Sequence, residues 1–247
     1  MIPKLEMSTR TQAILIYWAW AFATAYFLAY YFLLKLLPLP PATLSAAEVA
    51  DFYTRNSVPI RIGAAICSWT GAFPIPLTIV IALQMVRLEK GFPIWSIVQF
   101  AGGVMMSIFV VLPPMFWGVA AFTPTRSPDV TLVMHEFGNL AFIATDQYFI
   151  FQFIAVAVVC LTQKVDPHSP FPRWSGYLTL WAAFAIEIGV AAYLFKTGPF
   201  AWNGLLVYWI PILMYGAWFM TVSLNLLRAL KRQSDQASSH RLGRAEQ

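Results

Sequence analysis

The sequence predicts an all-α fold: a polytopic membrane helix bundle with six transmembrane helices and a short amphipathic helix on its outer surface. Three observations predict it. Of the 247 residues, 59% are hydrophobic and only 11% charged, whereas soluble domains average about 25% charged. Six apolar stretches, at about 12–37, 60–86, 94–122, 131–162, 174–195 and 202–227, reach the roughly 20 residues that a spanning helix needs. The basic residues also crowd into alternate connections, as they do in membrane proteins.

The first stretch, from Thr11 to Leu37, is much longer than the roughly 7–15 apolar residues of a signal peptide. It lacks a convincing small-residue cleavage site and is expected to remain as the first helix. The connection after it, PLPPATLSAAEVADFYTRNSVPIR, contains Ser45 followed three residues later by Glu48, a capping-box signature. Val49, Phe52 and Tyr53 then recur at helical spacing, so a surface helix over about 46–56 follows. It reads either as a lid over an external opening or as a plain connector.

Several spans open with one device, GFPIW at 91–95, PFPRW at 170–174 and GPFAW at 198–202. Gly or Pro ends the previous element, Pro suits a first helical turn, and Trp anchors at the headgroup level. The segments FPRWSGY, FKTGPFAWNG and WIP resemble those of small bacterial six-helix integral membrane proteins of unassigned function. The likeness covers mainly residues 171–211 and implies six helices without implying an activity.

Breakers fall inside three spans. The second holds GAFPIP with Pro74 and Pro76, the third AGG and LPPMFWG with Pro113 and Pro114, and the sixth WIP with Pro211. Proline removes a backbone donor, and the freed carbonyl needs a neighbour's hydroxyl or a wet cavity. Transporters place such helices at binding sites, although packing kinks alone use the same residues.

The fourth span contains HEFGNLAFIATDQ at 135–147. Leu, Ile, Phe and Val each favour insertion by roughly 0.3–0.6 kcal/mol, while a central Asp opposes it by about 2.5–3.5 kcal/mol. Asp146 is therefore expected to face protein or water. On one continuous helix at 100° per residue, His135, Asn139 and Asp146 form a stripe, with Glu136 on its edge. Glu187, in WAAFAIEIGVAAYLF, lies about 12 Å below the outer end of the fifth span, and Asp146 about 16 Å below His135 by the same rise. The two acids thus share a level in the outer half, with Arg61 the nearest cation by depth. Proton exchange or ligand binding there competes with interhelical polar glue.

Charge and residue counts remove other chemistries. The net charge of +5 has eleven Lys and Arg on one side and five on the other. The rule that basic residues stay inside then puts both termini in the cytoplasm of a bacterial inner membrane. This placement, rather than nucleic acid, accounts for the excess. Only three histidines exist, and His168 and His240 lie in polar segments, so paired axial ligands for two haems are excluded. Cys67 and Cys160 have neither the number nor the spacing for a disulfide framework.

No phosphate loop, nucleophile elbow or HExxH signature occurs, and no cofactor or metal is predicted. The domain expected is residues 1–232, followed by a basic polar tail over 233–247. Its expected role is to bind or pass a small lipophilic molecule through an outer-half polar cavity, with proton linkage. Lipids, that ligand, and membrane-protein partners or a second copy of the chain are the expected partners. The competing class is a non-catalytic structural or assembly subunit of a larger membrane complex. A third is an enzyme using a metal recruited at His135 and Glu136.

Overall fold

The computed structural model describes residues 8–144, 148–164 and 169–245. All its regular elements are helical, with no strand among the described residues. In order they are α1 (Thr9–Ala29), α2 (Ala46–Arg55), α3 (Ser57–Thr70), α4 (Pro74–Val86) and α5 (Ile94–Phe122). Then come α6 (Pro128–Ile143), α7 (Phe149–Thr162), α8 (Arg173–Glu187) and α9 (Ile210–Ala245). Five stretches are long and apolar enough to cross a membrane: Thr9–Leu34, Ser57–Val86, Ile94–Phe122, Arg173–Tyr193 and Leu205–Ser239. α7 is a shorter apolar helix. Trp69 and Trp181 are 73% and 67% exposed, an outward apolar surface that lipid covers and that water would penalise.

The continuous fourth helix expected over 131–162 is not what forms. α6 stops at Ile143 and α7 starts at Phe149, so the 100° rule cannot be carried from His135 across the gap. Asp146 lies outside the described residues.

Prolines act differently at each breaker. Between α3 and α4 the helix breaks, and the carbonyls that Pro74 and Pro76 leave unpaired are taken one residue early. Phe73 N–H donates to Thr70 O and Ile75 N–H to Ala72 O, both at 3.0 Å. By contrast α5 runs unbroken across Gly102, Gly103, Pro113 and Pro114. The Val110 carbonyl, whose donor Pro114 lacks, accepts from the Tyr26 hydroxyl at 3.1 Å instead. Ahead of Pro211 the chain makes one wide π turn, Leu205–Trp209, and α9 then starts with proline at its second position. α9 continues through Ala245 and takes in the polar segment after residue 232.

Polar contacts mark the two ends of the bundle. At one, Gln84 donates to Gln12 at 2.7 Å and Gln233 donates to Gln84 at 3.1 Å, which gathers the starts of α1 and of the 87–93 connection with the far half of α9. Glu89 caps α5 there by accepting from Trp95 N–H and Ser96 N–H at 2.9 and 2.8 Å, placing negative charge at a helix N-terminus. At the other end, Trp202 donates to Pro40 O at 2.7 Å and Ser57 to Ala121 O at 2.8 Å.

α2 sits at that second end with Val49 and Tyr53 buried. Its capping box forms as the Ser45–Glu48 spacing predicts: Glu48 accepts from the Ser45 hydroxyl at 2.7 Å and from Ser45 N–H at 2.8 Å. Those bonds hold the Glu48 carboxyl below its ordinary 4.5. A depressed carboxyl stabilises the fold above its unfolded value, and that contribution is lost as pH falls through the folded one. Amide-exchange protection across 46–55, corrected for intrinsic rates, should therefore drop on acidification below the ordinary carboxyl range. In Glu48→Gln the protection should lose that acid-dependent step.

Candidate functional site in the aromatic core

His135 is 1% exposed and Asn139 fully buried. One helical turn apart, they are joined by the Asn139 Nδ2 to His135 Nε2 contact at 2.9 Å. Donor chemistry sets the direction of the chain. The Trp117 indole can only donate, and it does so to Asn139 Oδ1 at 3.1 Å. The Asn139 amide must then donate to His135 Nε2, which leaves a neutral imidazole with its proton on Nδ1. That proton goes to the Tyr53 hydroxyl at 2.9 Å, and Trp202 closes the ring edge-on with centroids 5.8 Å apart. The chain of bonds therefore ties α2 to α6 and α6 to α5. With both ring nitrogens engaged, His135 has no lone pair free for a metal. Among the described residues, no group of three or more His, Cys, Asp or Glu could hold one.

Glu136, on the adjoining edge, lies 4.0 Å from the Lys196 ammonium, with side-chain exposures of 34% and 74%. Such an exposed pair is worth little. Arg61 does not pair with any described carboxylate; its guanidinium lies 5.0 Å from the Phe122 ring centroid on the α3–α5 surface. Glu187 ends α8, and its Oε1 is buried without a hydrogen-bond partner among the described residues.

Deeper in the bundle is a cavity of about 80 Å³. Tyr26, Phe109, Phe142, Tyr208, Tyr215 and Pro211 are on its wall, beside the end of α6 and the start of α7. Phe109, Val110 and Val207 also line it. Each stands four residues before a proline, so each carbonyl lacks its usual helical donor. Tyr26 supplies one replacement, as above. On the neighbouring wall the Tyr30 and Tyr208 hydroxyls lie 3.0 Å apart and both reach Leu36 O, at 2.8 and 3.2 Å. Tyr215 makes no hydrogen bond with a described residue. Pro211 is thus a cavity residue, Pro113 and Pro114 shape the wall from behind, and Pro74 and Pro76 are represented there by Phe73, which precedes them.

The sequence reading passed over the tyrosines. Tyr26 and Tyr30 are one helical turn apart inside an apolar run, as are Tyr208 and Tyr215 at two turns, and hydroxyls on an otherwise greasy face were the available signal. It also passed over a second polar set, where Gln152 donates to Thr78 at 3.2 Å and Gln99, fully buried, has neither amide atom partnered among the described residues. Comparison with protein-family models, with curated proteins and with solved structures finds no match for this chain, so its function rests on these residues alone.

Proposed function

We propose that this chain is a six-span protein of the bacterial inner membrane whose aromatic cavity binds a small lipophilic molecule with one polar end. α6 and α7 together make the fourth span. The observation that carries the reading is the cavity itself, walled by rings and Pro211 yet lined by Tyr215, whose hydroxyl makes no hydrogen bond with a described residue, and by three residues whose usual helical donor is replaced by proline. Apolar walls with a few convergent polar groups are what small-molecule sites use. A cavity of about 80 Å³ is smaller than the 150 Å³ or so that takes up benzene, so entry requires the wall to yield.

Topology supports the membrane assignment. The Gln12–Gln84–Gln233 contacts gather Arg10, Arg87 and Arg228 toward one end, and Lys35, Arg55, Arg61, Arg126 and Lys196 belong to the other, a distribution that supports a cytoplasmic first end under the positive-inside rule. α2 then lies on the outer surface. Within this reading Glu187 is the proton-carrying group, and Glu187→Gln removes the pH dependence of ligand binding.

The test is a thermal-unfolding series on the purified protein with neutral alcohols and ketones of one, two and three rings. A ligand present at a hundred times its Kd stabilises by about 2.7 kcal/mol. Single-ring compounds should raise Tm, and Val207→Phe or Met106→Phe, which fill the cavity, should weaken that response at least tenfold. No stabilisation by any compound, or an undiminished response in both variants, would refute the binding site.

A further inference from the structure

A separate groove runs down the outside of α3 and α5. Val58, Ile62 and Ala65 along α3 face Met115, Val119 and Phe122 along α5, each set at intervals of four and three residues and so on one helical stripe. The helices are antiparallel and close, because Gly118 leaves no space for a Cβ beside Ala64 and Gly71 none beside Val111. The groove above this seam measures about 740 Å³. Its walls stay open, with Val58 63% and Phe122 64% exposed. The eight residue steps from Val58 to Ile66 rise about 12 Å, close to one leaflet of a hydrocarbon core about 30 Å thick.

Arg61 is the charged residue of the groove and stands near its mouth. Its guanidinium rests on the Phe122 ring and makes no hydrogen bond or ion pair with a described residue. The acid on the neighbouring turn of α2, Asp51, is already taken by Arg55. A guanidinium without a carboxylate matches a phosphate in charge and in its forked geometry. Among the described residues that line the groove there is no carboxylate to hold the ammonium of a zwitterionic headgroup. We infer that this groove is a binding site for one anionic glycerophospholipid, with an acyl chain between α3 and α5 and the phosphate on Arg61. The site is independent of the central cavity, from which it is separated by the α3–α5 seam.

Native mass spectrometry of the full chain in mild detergent tests this, with phosphatidylglycerol and phosphatidylethanolamine of the same acyl chains offered in equal amounts. Wild type should retain one phosphatidylglycerol at least threefold over phosphatidylethanolamine, and inorganic phosphate should not displace it. Arg61→Gln should abolish the preference, and Arg61→Lys should keep most of it. Ala65→Phe, an exposed site where added bulk fills the groove without entering the core, should remove the bound lipid while the melting temperature is kept. Equal retention of the two lipids by wild type, or a preference that survives Arg61→Gln, would overturn the assignment. So would displacement by inorganic phosphate.

Discussion

Gly138→Ala is expected to destabilise the protein by on the order of 2–4 kcal/mol, combining the costs of overpacking and of a lost buried hydrogen bond. An alanine Cβ at this position would lie 2.3 Å from Trp117 Nε1 and 2.5 Å from its Cδ1. The indole has nowhere to retreat. It is fully buried, with Tyr30 at 5.8 Å and Phe142 at 5.7 Å between ring centroids. Any movement that relieves the clash also pulls its N–H from Asn139 Oδ1. Asn139 orients His135, and His135 holds Tyr53, so the disturbance reaches α2.

A double-mutant cycle separates this account from a general intolerance of substitution. Trp117→Phe deletes the pyrrole atoms that the new methyl group strikes. On its own it loses the hydrogen bond and leaves a void, yet it should make Gly138→Ala nearly harmless. The coupling expected is about 2–3 kcal/mol, at the upper end of the range for residues in direct contact. Reversible unfolding in mixed detergent measures all four proteins. Additivity, or a Gly138→Ala variant within about 0.5 kcal/mol of wild type, would show that the indole yields more easily than its surroundings imply.

What could be read from sequence here is what local physics decides. Ser45 and Glu48 meet across one helical turn whatever the rest of the chain does, and α2 follows from them. The spans at 94–122 and 174–195 are close to α5 and to α8 with its 3-10 extension, because composition and length alone specify them. The end of α6 at Ile143 was not legible, since no Pro or Gly stands at 144–148 and the apolar run continues on both sides. His135 and Asn139, an i, i+4 pair, meet through the Asn139 amide and the His135 ring. Their outer partners, Tyr53 and Trp117, stand 82 and 22 residues away in the chain, beyond the reach of periodicity. Arg61 is the nearest cation to the acids by depth, which is one coordinate of three, and its azimuth puts it over Phe122.

Tyr26→Phe is the second large effect, and it turns on a proline. Pro114 has no N–H to give the Val110 carbonyl, and no water reaches an apolar interior to replace it. The Tyr26 hydroxyl, 84 residues away in sequence, is the donor the structure provides, at 3.1 Å. Removing it should cost about 1–2 kcal/mol, between the penalty for an orphaned buried acceptor and the smaller hydrogen-bond energies found in membranes. In a Pro114→Ala background the residue 114 N–H returns to Val110, and the same Tyr26→Phe change should cost less than half as much. The alternative is that Tyr26 matters only as a packed ring beside Phe73 and Tyr30, with centroids at 5.9 and 6.3 Å. In that case phenylalanine keeps every ring contact and both backgrounds respond alike. Equal, small losses would sink the donor role, whereas a loss confined to the proline-bearing chain would show that a distant hydroxyl lets α5 carry Pro114 unbroken along the cavity wall.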